Sequence, residues 1–239
     1  MSDAEPPRAH RFTGRTSVRL GATATLALTA VLGSALWLTG YFPLSNARAI
    51  RVTVLEDGVF VGSAHAGAVI DVFGDPLCSP CAQLATSSQH DIQPAIDEKK
   101  VAVRYHLLNG DDSLSVSGDY STRAVAAILC VAAAGDPSHY QAFYTGLAAP
   151  NFLPKTKSVK SASADHTDAD LAHLAQTLGA PPRVGECISS KQRTAAAKNE
   201  SSNAAAFLQR LQGNLLMPMI FVGGREVDYM NAGWIDNLQ

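Results

Sequence analysis

Alternating apolar and polar residues mark the first strands of the chain. RVTVLEDGVFVG, at residues 51–62, alternates on both sides of an Asp-Gly pair, where glycine supplies the positive φ of a hairpin turn. GAVIDVFG, at residues 67–74, is rich in Val, Ile and Phe, is ended by Gly-Asp-Pro and is typical of a buried strand. VAVRYHLL, at residues 101–108, alternates again. Between these two strands a helix is predicted over residues 82–96, kinked or ended by Pro94.

The middle of the chain changes to a helical pattern rich in alanine. The predicted helices cover residues 119–136, 137–149, 168–180 and 189–213. Asp168 is placed to cap the third of them, and Gly213 is the expected terminating glycine of the fourth. Strands return in MPMIFVGGREVDYM, at residues 217–230, and residues 231–239 are predicted to form a final short helix.

Strands at both ends and helices between them predict one interrupted sheet domain. Strands satisfy their backbone groups by pairing with other strands, so the two ends of this pattern must meet in space. The predicted fold class is therefore α/β, with a sheet domain formed by residues 51–109 and 214–239 and a helical insertion at residues 110–213.

An uncharged apolar segment precedes this folded region. Residues 20–42 are long enough to cross a bilayer as one transmembrane helix. The basic residues within 1–19 favour a short cytoplasmic tail, which sends everything after the span outward through a linker at residues 43–50. The alternative is a cleaved signal peptide that releases a secreted protein. Both interpretations place the folded region outside the cytoplasm.

Charge and composition exclude several classes of partner. The chain has 239 residues with 19 basic and 21 acidic side chains, so no nucleic-acid partner is predicted. Its seven histidines are scattered and do not stand at ligand spacing from other candidates, so no metal is predicted. Four cysteines suit two disulfides in an oxidising compartment.

The pair Cys78 and Cys81 lies where the predicted strand at residues 67–74 gives way to a helix. At a helix start, unpaired backbone N–H groups and the positive end of the dipole stabilise a thiolate at Cys78. Cys81 follows on the same face of the first turn, where its sulfur can attack a mixed disulfide formed at Cys78. A structural zinc site would need two more ligands, and two inert cysteines remain the simplest alternative to a redox centre.

A second signature lies far along the chain, where Pro218 opens an apolar strand. A proline there is expected to be the first residue of the strand or to follow a cis peptide bond. Together, residues 73–81 and 217–227 resemble the two signatures of the thioredoxin superfamily, specifically its DsbA-like branch of extracytoplasmic thiol–disulfide oxidoreductases. The inserted helices are similar to the helical domain of that family, and the resemblance covers roughly residues 51–239.

The resemblance implies a role for each matching position. Cys78 is expected to be the nucleophile and Cys81 the resolving cysteine. Met217 and Pro218 are expected to form a cis peptide that offers its backbone to an extended substrate. The cysteine pair is then the redox group, with no further cofactor. A membrane partner of the DsbB or VKOR type is expected to reoxidise it.

The chain departs from the family pattern at three places. Ser79-Pro80 stands between the cysteines, where Pro followed by His or Tyr is usual, and these two residues are expected to tune the redox potential. Val72 occupies the position of a buried acid six residues before the first cysteine. Asp71 is adjacent, but strand alternation points it to the other face of the sheet, so it is not predicted to relay protons. Met217 replaces the usual Thr or Val.

Cys130 and Cys187 lie near the two ends of the helical insertion. Outside the cytoplasm the simplest prediction is a structural disulfide between them, with two buried free thiols as the alternative.

These observations predict an oxidoreductase that introduces disulfides into secreted or envelope proteins. The first alternative is an extracytoplasmic reductase or isomerase, which Ser79-Pro80 leaves open. The second is a non-catalytic binding module on a thioredoxin-like fold.

Overall fold

The computed structural model describes residues 49–160, 162–231 and 233–238. The predicted tail at residues 1–19, the predicted membrane span at residues 20–42 and most of the linker lie outside the described residues. Within the described part of the chain, no helix has both the length and the apolar composition needed to cross a bilayer.

One mixed sheet forms the centre of the described region. Its strands are β1 (Arg51–Val54), β2 (Val59–Gly62), β3 (Ala68–Gly74), β4 (Val101–Leu107), β5 (Met219–Val222) and β6 (Arg225–Glu226). They lie in the order β1-β2-β4-β3-β5-β6, and only β3 and β4 run parallel. β3 and β5 therefore join the two ends of the sequence in one sheet, which confirms the predicted α/β class with a helical insertion.

Two helices connect the parallel strands, as a crossover between parallel strands requires. They are α1 (Ser79–Ser87) and α2 (Gln89–Asp97), where a single helix was predicted. The break lies at Ser88, whose ψ of -9° departs from the α-helical value, while its hydroxyl and its N–H both donate to the carbonyl of Leu84. Pro94 lies inside α2 and does not end it.

The insertion between β4 and β5 begins with a short 3-10 helix at Gly110–Leu114 and continues as five helices. These are α3 (Tyr120–Ala133), α4 (Pro137–Ala148), α5 (Asp168–Thr177), α6 (Pro182–Ser189) and α7 (Thr194–Gln212). The helix α6 was not predicted, and the long helix starts later than expected. The reason is Lys191, whose left-handed backbone (φ 57°) separates α6 from α7.

Two further predictions about helices were wrong. The cap of α5 is Thr167 and not Asp168: the Thr167 hydroxyl accepts from the N–H of Asp170, and the Asp170 carboxylate accepts from the N–H of Thr167. The final segment forms turns instead of a helix over residues 233–237. Gly233 has φ 73° there, and so short a segment cannot offset the cost of starting a helix.

The two faces of the sheet have different coverings. On one face, Val72, Val103 and Ile220 belong to a large apolar cluster that includes residues of α1, α2 and the insertion. On the other face, Phe73 and Phe221 pack against the C-terminal half of α7 in a second cluster. Side chains of adjacent strand residues therefore enter different environments, which decides the surroundings of the acidic groups near the cysteines.

Candidate active site

The cysteine pair stands at the end of the central strand. β3 ends at Gly74, and four residues later Cys78 occupies the N-cap position of α1. Cys78 and Cys81 are joined by a disulfide, with their Cα atoms 5.2 Å apart. Pro80 lies in the first turn of the helix, where its missing N–H costs no hydrogen bond.

The local hydrogen bonds favour negative charge on Cys78. Its Sγ accepts from the N–H of Cys81 at 3.2 Å, so the sulfur takes the place of a capping oxygen. No acidic residue lies in the first turn of α1. A thiolate released at Cys78 would therefore face backbone N–H groups and the positive end of the helix dipole, both of which lower a thiol pKa.

Access to the pair comes from one side. Cys78 and Cys81 retain only 8 % and 6 % of their exposure, while Ser79 and Pro80 between them are exposed. Ser79 and Pro80 thus form the part of this turn that another molecule meets first. Cys81 faces the interior of the protein.

The peptide bond between Met217 and Pro218 is cis. In the antiparallel pairing of β3 with β5, Phe73 lies opposite Met219. Pro218 immediately precedes Met219, and Gly74 immediately follows Phe73, so the cis peptide adjoins the end of β3 from which the cysteine turn starts. The pairing of β3 with β5 thus places Cys78 and Pro218, which are 140 positions apart in sequence, at the same end of the sheet.

Behind the pair lies a small cavity lined by side chains from three helices. A methyl group added to Gly74 would lie 3.7 Å from Cys81 Sγ and 3.9 Å from the hydroxyl of Tyr144, so sulfur and phenol approach the same stretch of β3. Burial raises the pKa of Tyr144, which keeps it a neutral phenol. Asp75 lines the same cavity.

Asp75 and Tyr144 were not among the predicted site residues. Asp75 stood in a Gly-Asp-Pro stretch that indicated only the end of a strand. Tyr144 lay in the predicted helix at residues 137–149, which was expected only to form part of the helical insertion. Neither position carries a sequence signal for proximity to Cys81, because the contact depends on how the insertion packs against α1.

The position of the family's usual buried acid is apolar. Val72 packs in the large cluster, and Asp71 points to the opposite face, where it lies 2.9 Å from His106 Nε2 and 3.5 Å from Arg104 Nε. His106 is fully buried and stacks on Phe73. Asp71 is thus engaged in an ion-pair network on the face away from the cavity.

The other two cysteines are also paired. Cys130 on α3 and Cys187 on α6 form a disulfide, with Cα atoms 5.9 Å apart and a separation of 57 positions in sequence. Cys130 is buried and Cys187 partly buried in the large apolar cluster. Among the residues that the structure describes there is no free cysteine, and no group of three metal-ligating side chains.

Comparisons with known proteins agree with this architecture. Residues 55–233 match the family model of thioredoxin. Among solved structures, the chain is similar to the MdbA protein, a thiol-disulfide oxidoreductase from Corynebacterium matruchotii, with a TM-score of 0.69 and 23 % identity over 87 % of this chain and all of that one. It is also similar to DsbA from Mycobacterium tuberculosis, with a TM-score of 0.57 and 25 % identity over 76 % of this chain and 85 % of that one.

A further relative is a longer protein, a kinase, of which only a part matches this chain. The chain is 43 % identical over 192 residues to the serine/threonine-protein kinase PknE of Mycobacterium tuberculosis. The match covers 80 % of this chain and 33 % of the kinase, so the chain spans about a third of the length of that relative. The chain therefore belongs to the thioredoxin family, within which its fold and its Cys78–Cys81 pair are those of a DsbA-like thiol–disulfide oxidoreductase.

Proposed function

We propose that this protein works outside the cytoplasm, where it introduces disulfides into secreted or envelope proteins through Cys78 and Cys81. The observation that carries the proposal is the position of Cys78. Its sulfur caps α1, is bonded to Cys81, and lies beside exposed residues. A sulfur in that position is open to attack and becomes a stabilised leaving group in the next step.

The proposed reaction takes place in two exchanges. A substrate thiolate attacks Cys78 Sγ, the bond to Cys81 breaks, and Cys81 leaves as a thiolate. A second thiolate of the substrate then attacks the substrate sulfur of the mixed disulfide, and Cys78 leaves as a thiolate. The substrate gains a disulfide and the pair is reduced by two electrons.

The surface next to Pro218 suits an unfolded substrate. Leu215 and Leu216 come just before the cis peptide and are 49 % and 67 % exposed. Met217 adds a flexible, partly buried side chain to the same segment. We propose that the backbone of Met217 pairs with an extended substrate strand and that these apolar side chains contact its neighbouring residues.

Continued turnover requires an oxidant for the reduced pair. We propose a membrane partner of the DsbB or VKOR type, together with anchoring through residues 20–42, whose apolar composition supports a span. Release after cleavage of that segment is the alternative for localisation.

A second candidate function comes from the match to PknE. A region 43 % identical to a third of a kinase suggests a redox-sensing or binding module, in which the pair changes state without turnover. A third reading, a reductase or isomerase, rests on Ser79-Pro80 between the cysteines.

The reduction potential of Cys78–Cys81 separates these functions. We would equilibrate the domain at residues 49–239 with glutathione buffers and quantify the reduced pair, with Cys130→Ala/Cys187→Ala as a control that leaves one titrating pair. A value near about −120 mV supports the oxidase, and one near about −270 mV supports the reductase. A pair that does not exchange within hours contradicts both and favours a non-catalytic module.

The division of roles is tested by trapping. Cys81→Ser cannot resolve a mixed disulfide, so adducts through Cys78 should accumulate in cells and disappear on reduction. Cys78→Ser, with the same number of thiols, is the matched control. If Cys78→Ser traps adducts instead, Cys81 is the nucleophile and the proposed order is reversed.

A further inference from the structure

Asp75 is a buried carboxylate held in place by three donors. Its Oδ1 accepts from the Ser121 hydroxyl at 2.5 Å and from the N–H of Leu77 at 2.8 Å, and its Oδ2 accepts from the N–H of Asp111 at 2.9 Å. Only 3 % of the residue is exposed. These contacts reach it from the turn before α1, from the 3-10 helix and from α3, so its orientation is defined on three sides.

Asp75 and Cys81 line the same cavity. The remaining walls are mainly apolar and include Pro76, Leu107 and Leu147. The cavity volume of about 20 Å³ is room for one water molecule, which needs polar partners. Asp75, the Tyr144 hydroxyl and the sulfur of Cys81 are the polar groups at hand. Asp75 and Cys81 thus share one cavity behind the cysteine pair.

Few other ionisable groups face Asp75. Asp111 on the 3-10 helix and Tyr120 on α3 act on it electrostatically, and Tyr144 on α4 faces the cavity. Burial raises the pKa of both tyrosines, so they remain neutral. No lysine or arginine of the described residues lines the cavity. No cationic side chain in the cavity lining therefore stabilises the ionised form of Asp75.

We propose that Asp75, acting through a water in this cavity, exchanges a proton with Cys81 and takes the place of the acid that is absent at Val72. The inference rests on the proposed function. When substrate attack on Cys78 expels Cys81 as a thiolate, Asp75 in its protonated form delivers the proton that converts Cys81 to a thiol. The Asp75 carboxylate then regains its proton from solvent. In the reverse direction the same carboxylate accepts the proton of Cys81 before it attacks a mixed disulfide.

The charge state of Asp75 fits such a role. Burial raises its pKa to about 6, against the hydrogen bonds from Ser121, Asp111 and Leu77, which lower it. A group with a pKa near the working pH exists in both forms and can both donate and accept. Asp71, which adjoins Val72 in sequence, is on the other face of the sheet and paired with His106, so it has no path to the cavity.

The test is the pH dependence of the opening of the Cys78–Cys81 disulfide by reduced glutathione, with each rate divided by the fraction of glutathione thiolate. The wild-type corrected rate constant should rise by about 90-fold as the pH falls from 8 to 5, because the protonated fraction of a group with a pKa of about 6 rises by that factor. The midpoint should lie near pH 6. Asp75→Asn should lose this rise.

Two hydroxyl variants of α3 sharpen the test. Ser121→Ala removes a donor to the Asp75 carboxylate, which disfavours its charged form and should move the midpoint to higher pH. Thr122→Ala is the matched control, because the neighbouring hydroxyl donates to Asp112 instead and the midpoint should not move. If Asp75→Asn does not fold, judged by near-UV circular dichroism, these two variants decide alone.

Several outcomes would overturn the inference. They are a rise that survives in Asp75→Asn, a midpoint unmoved by Ser121→Ala, and a loss of rate by the same factor at every pH, which indicates structural support only. A wild-type protein that glutathione does not open at any pH would instead overturn the proposed function, and the inference with it. A normal wild-type rate with no dependence on Asp75 overturns only the inference.

Discussion

The two disulfides of this protein have the same chemistry and opposite settings. Cys78–Cys81 closes a loop of four residues at the start of α1, next to the exposed Ser79 and Pro80. Cys130–Cys187 spans 57 positions and joins α3 to α6 inside the helical insertion. In the chain-entropy model the short loop stabilises the fold by about 2 kcal/mol and the long loop by about 4 kcal/mol.

This difference in setting leads us to associate disulfide exchange with Cys78–Cys81 and stabilisation of the fold with Cys130–Cys187. The Cys78–Cys81 disulfide contributes little to stability in this model, so it can open and close while the protein stays folded. A bond buried in the insertion restrains a long segment and has no helix terminus to stabilise a thiolate, because Cys130 lies in the interior of α3. We therefore expect changes at the two pairs to affect different measurable quantities.

The largest effect is expected from Cys78→Ser. Loss of the proposed nucleophile should reduce the rate of disulfide exchange by more than about 1000-fold, because no other sulfur in the described residues occupies a helix start. The melting temperature should fall by only a few degrees, as the short loop contributes about 2 kcal/mol. The exchange rate is measured as the rate at which the protein oxidises a reduced dithiol peptide.

Residual exchange in Cys78→Ser above that limit would mean that the second pair also reacts. Cys78→Ser/Cys130→Ala/Cys187→Ala distinguishes that case, since it removes every thiol except Cys81.

The second prediction concerns Cys130→Ala/Cys187→Ala. The free energy of unfolding should fall by about 4 kcal/mol, while the exchange rate per folded molecule stays within about twofold of wild type. Urea denaturation measures the first quantity, and the dithiol peptide assay the second. A large loss of exchange in folded protein would show that the insertion disulfide supports the active site and would end the separation of the two roles.

The sequence predicted this division at the level of chemistry and left its geometry open. The pattern around Cys78 and Pro218 indicated a redox pair and a strand start, because both depend on local backbone rules. The environment of Asp75, by contrast, includes a hydrogen bond from Ser121 on α3, which lies 46 residues further along the sequence. No periodicity signals that contact, since it arises only when the insertion packs onto the turn before α1.

The errors in the helices have the same origin. Thr167 and Asp168 are both capable of capping α5, and the choice depends on one backbone turn. The missed helix α6 is only eight residues long, follows Pro181 and begins at Pro182. Its stability comes from Val184 and Ile188 packing in the core, and not from its own propensity.

The third prediction concerns Glu200 of α7, which contacts β4 where the insertion packs against the sheet. Glu200 is 3 % exposed, its Oε1 accepts from the N–H of Leu107 at 3.3 Å, and its Oε2 has no hydrogen-bond partner among the described residues. Burial raises its pKa from 4.5 to about 8. The native state therefore retains a proton that the unfolded chain releases above pH 4.5.

Stability should consequently fall as the pH rises from about 5 to about 8. Glu200→Gln keeps the acceptor for Leu107 and cannot ionise, so it should remove this slope. Its free energy of unfolding relative to wild type should be higher at pH 8 than at pH 5 by about 3 to 4 kcal/mol. Urea denaturation at both pH values measures the difference. Glu186→Gln, at an exposed position of α6, is the control. A slope unchanged by Glu200→Gln would contradict the assignment.

The smallest effect is expected at the cap of α5, which belongs to the insertion and lies far from the cysteine pair in sequence. Thr167→Ala removes the acceptor for the N–H of Asp170 and should lower the free energy of unfolding by about 1 kcal/mol. Thr156→Ala, whose hydroxyl forms an exposed hydrogen bond with Ser158 in a loop, should change it by less than about 0.5 kcal/mol. Exchange by Cys78 should be the same in both variants. If Thr167→Ala slowed exchange in fully folded protein, even a weak local change in the insertion would reach the active site, and stability and exchange could not be assigned to separate regions.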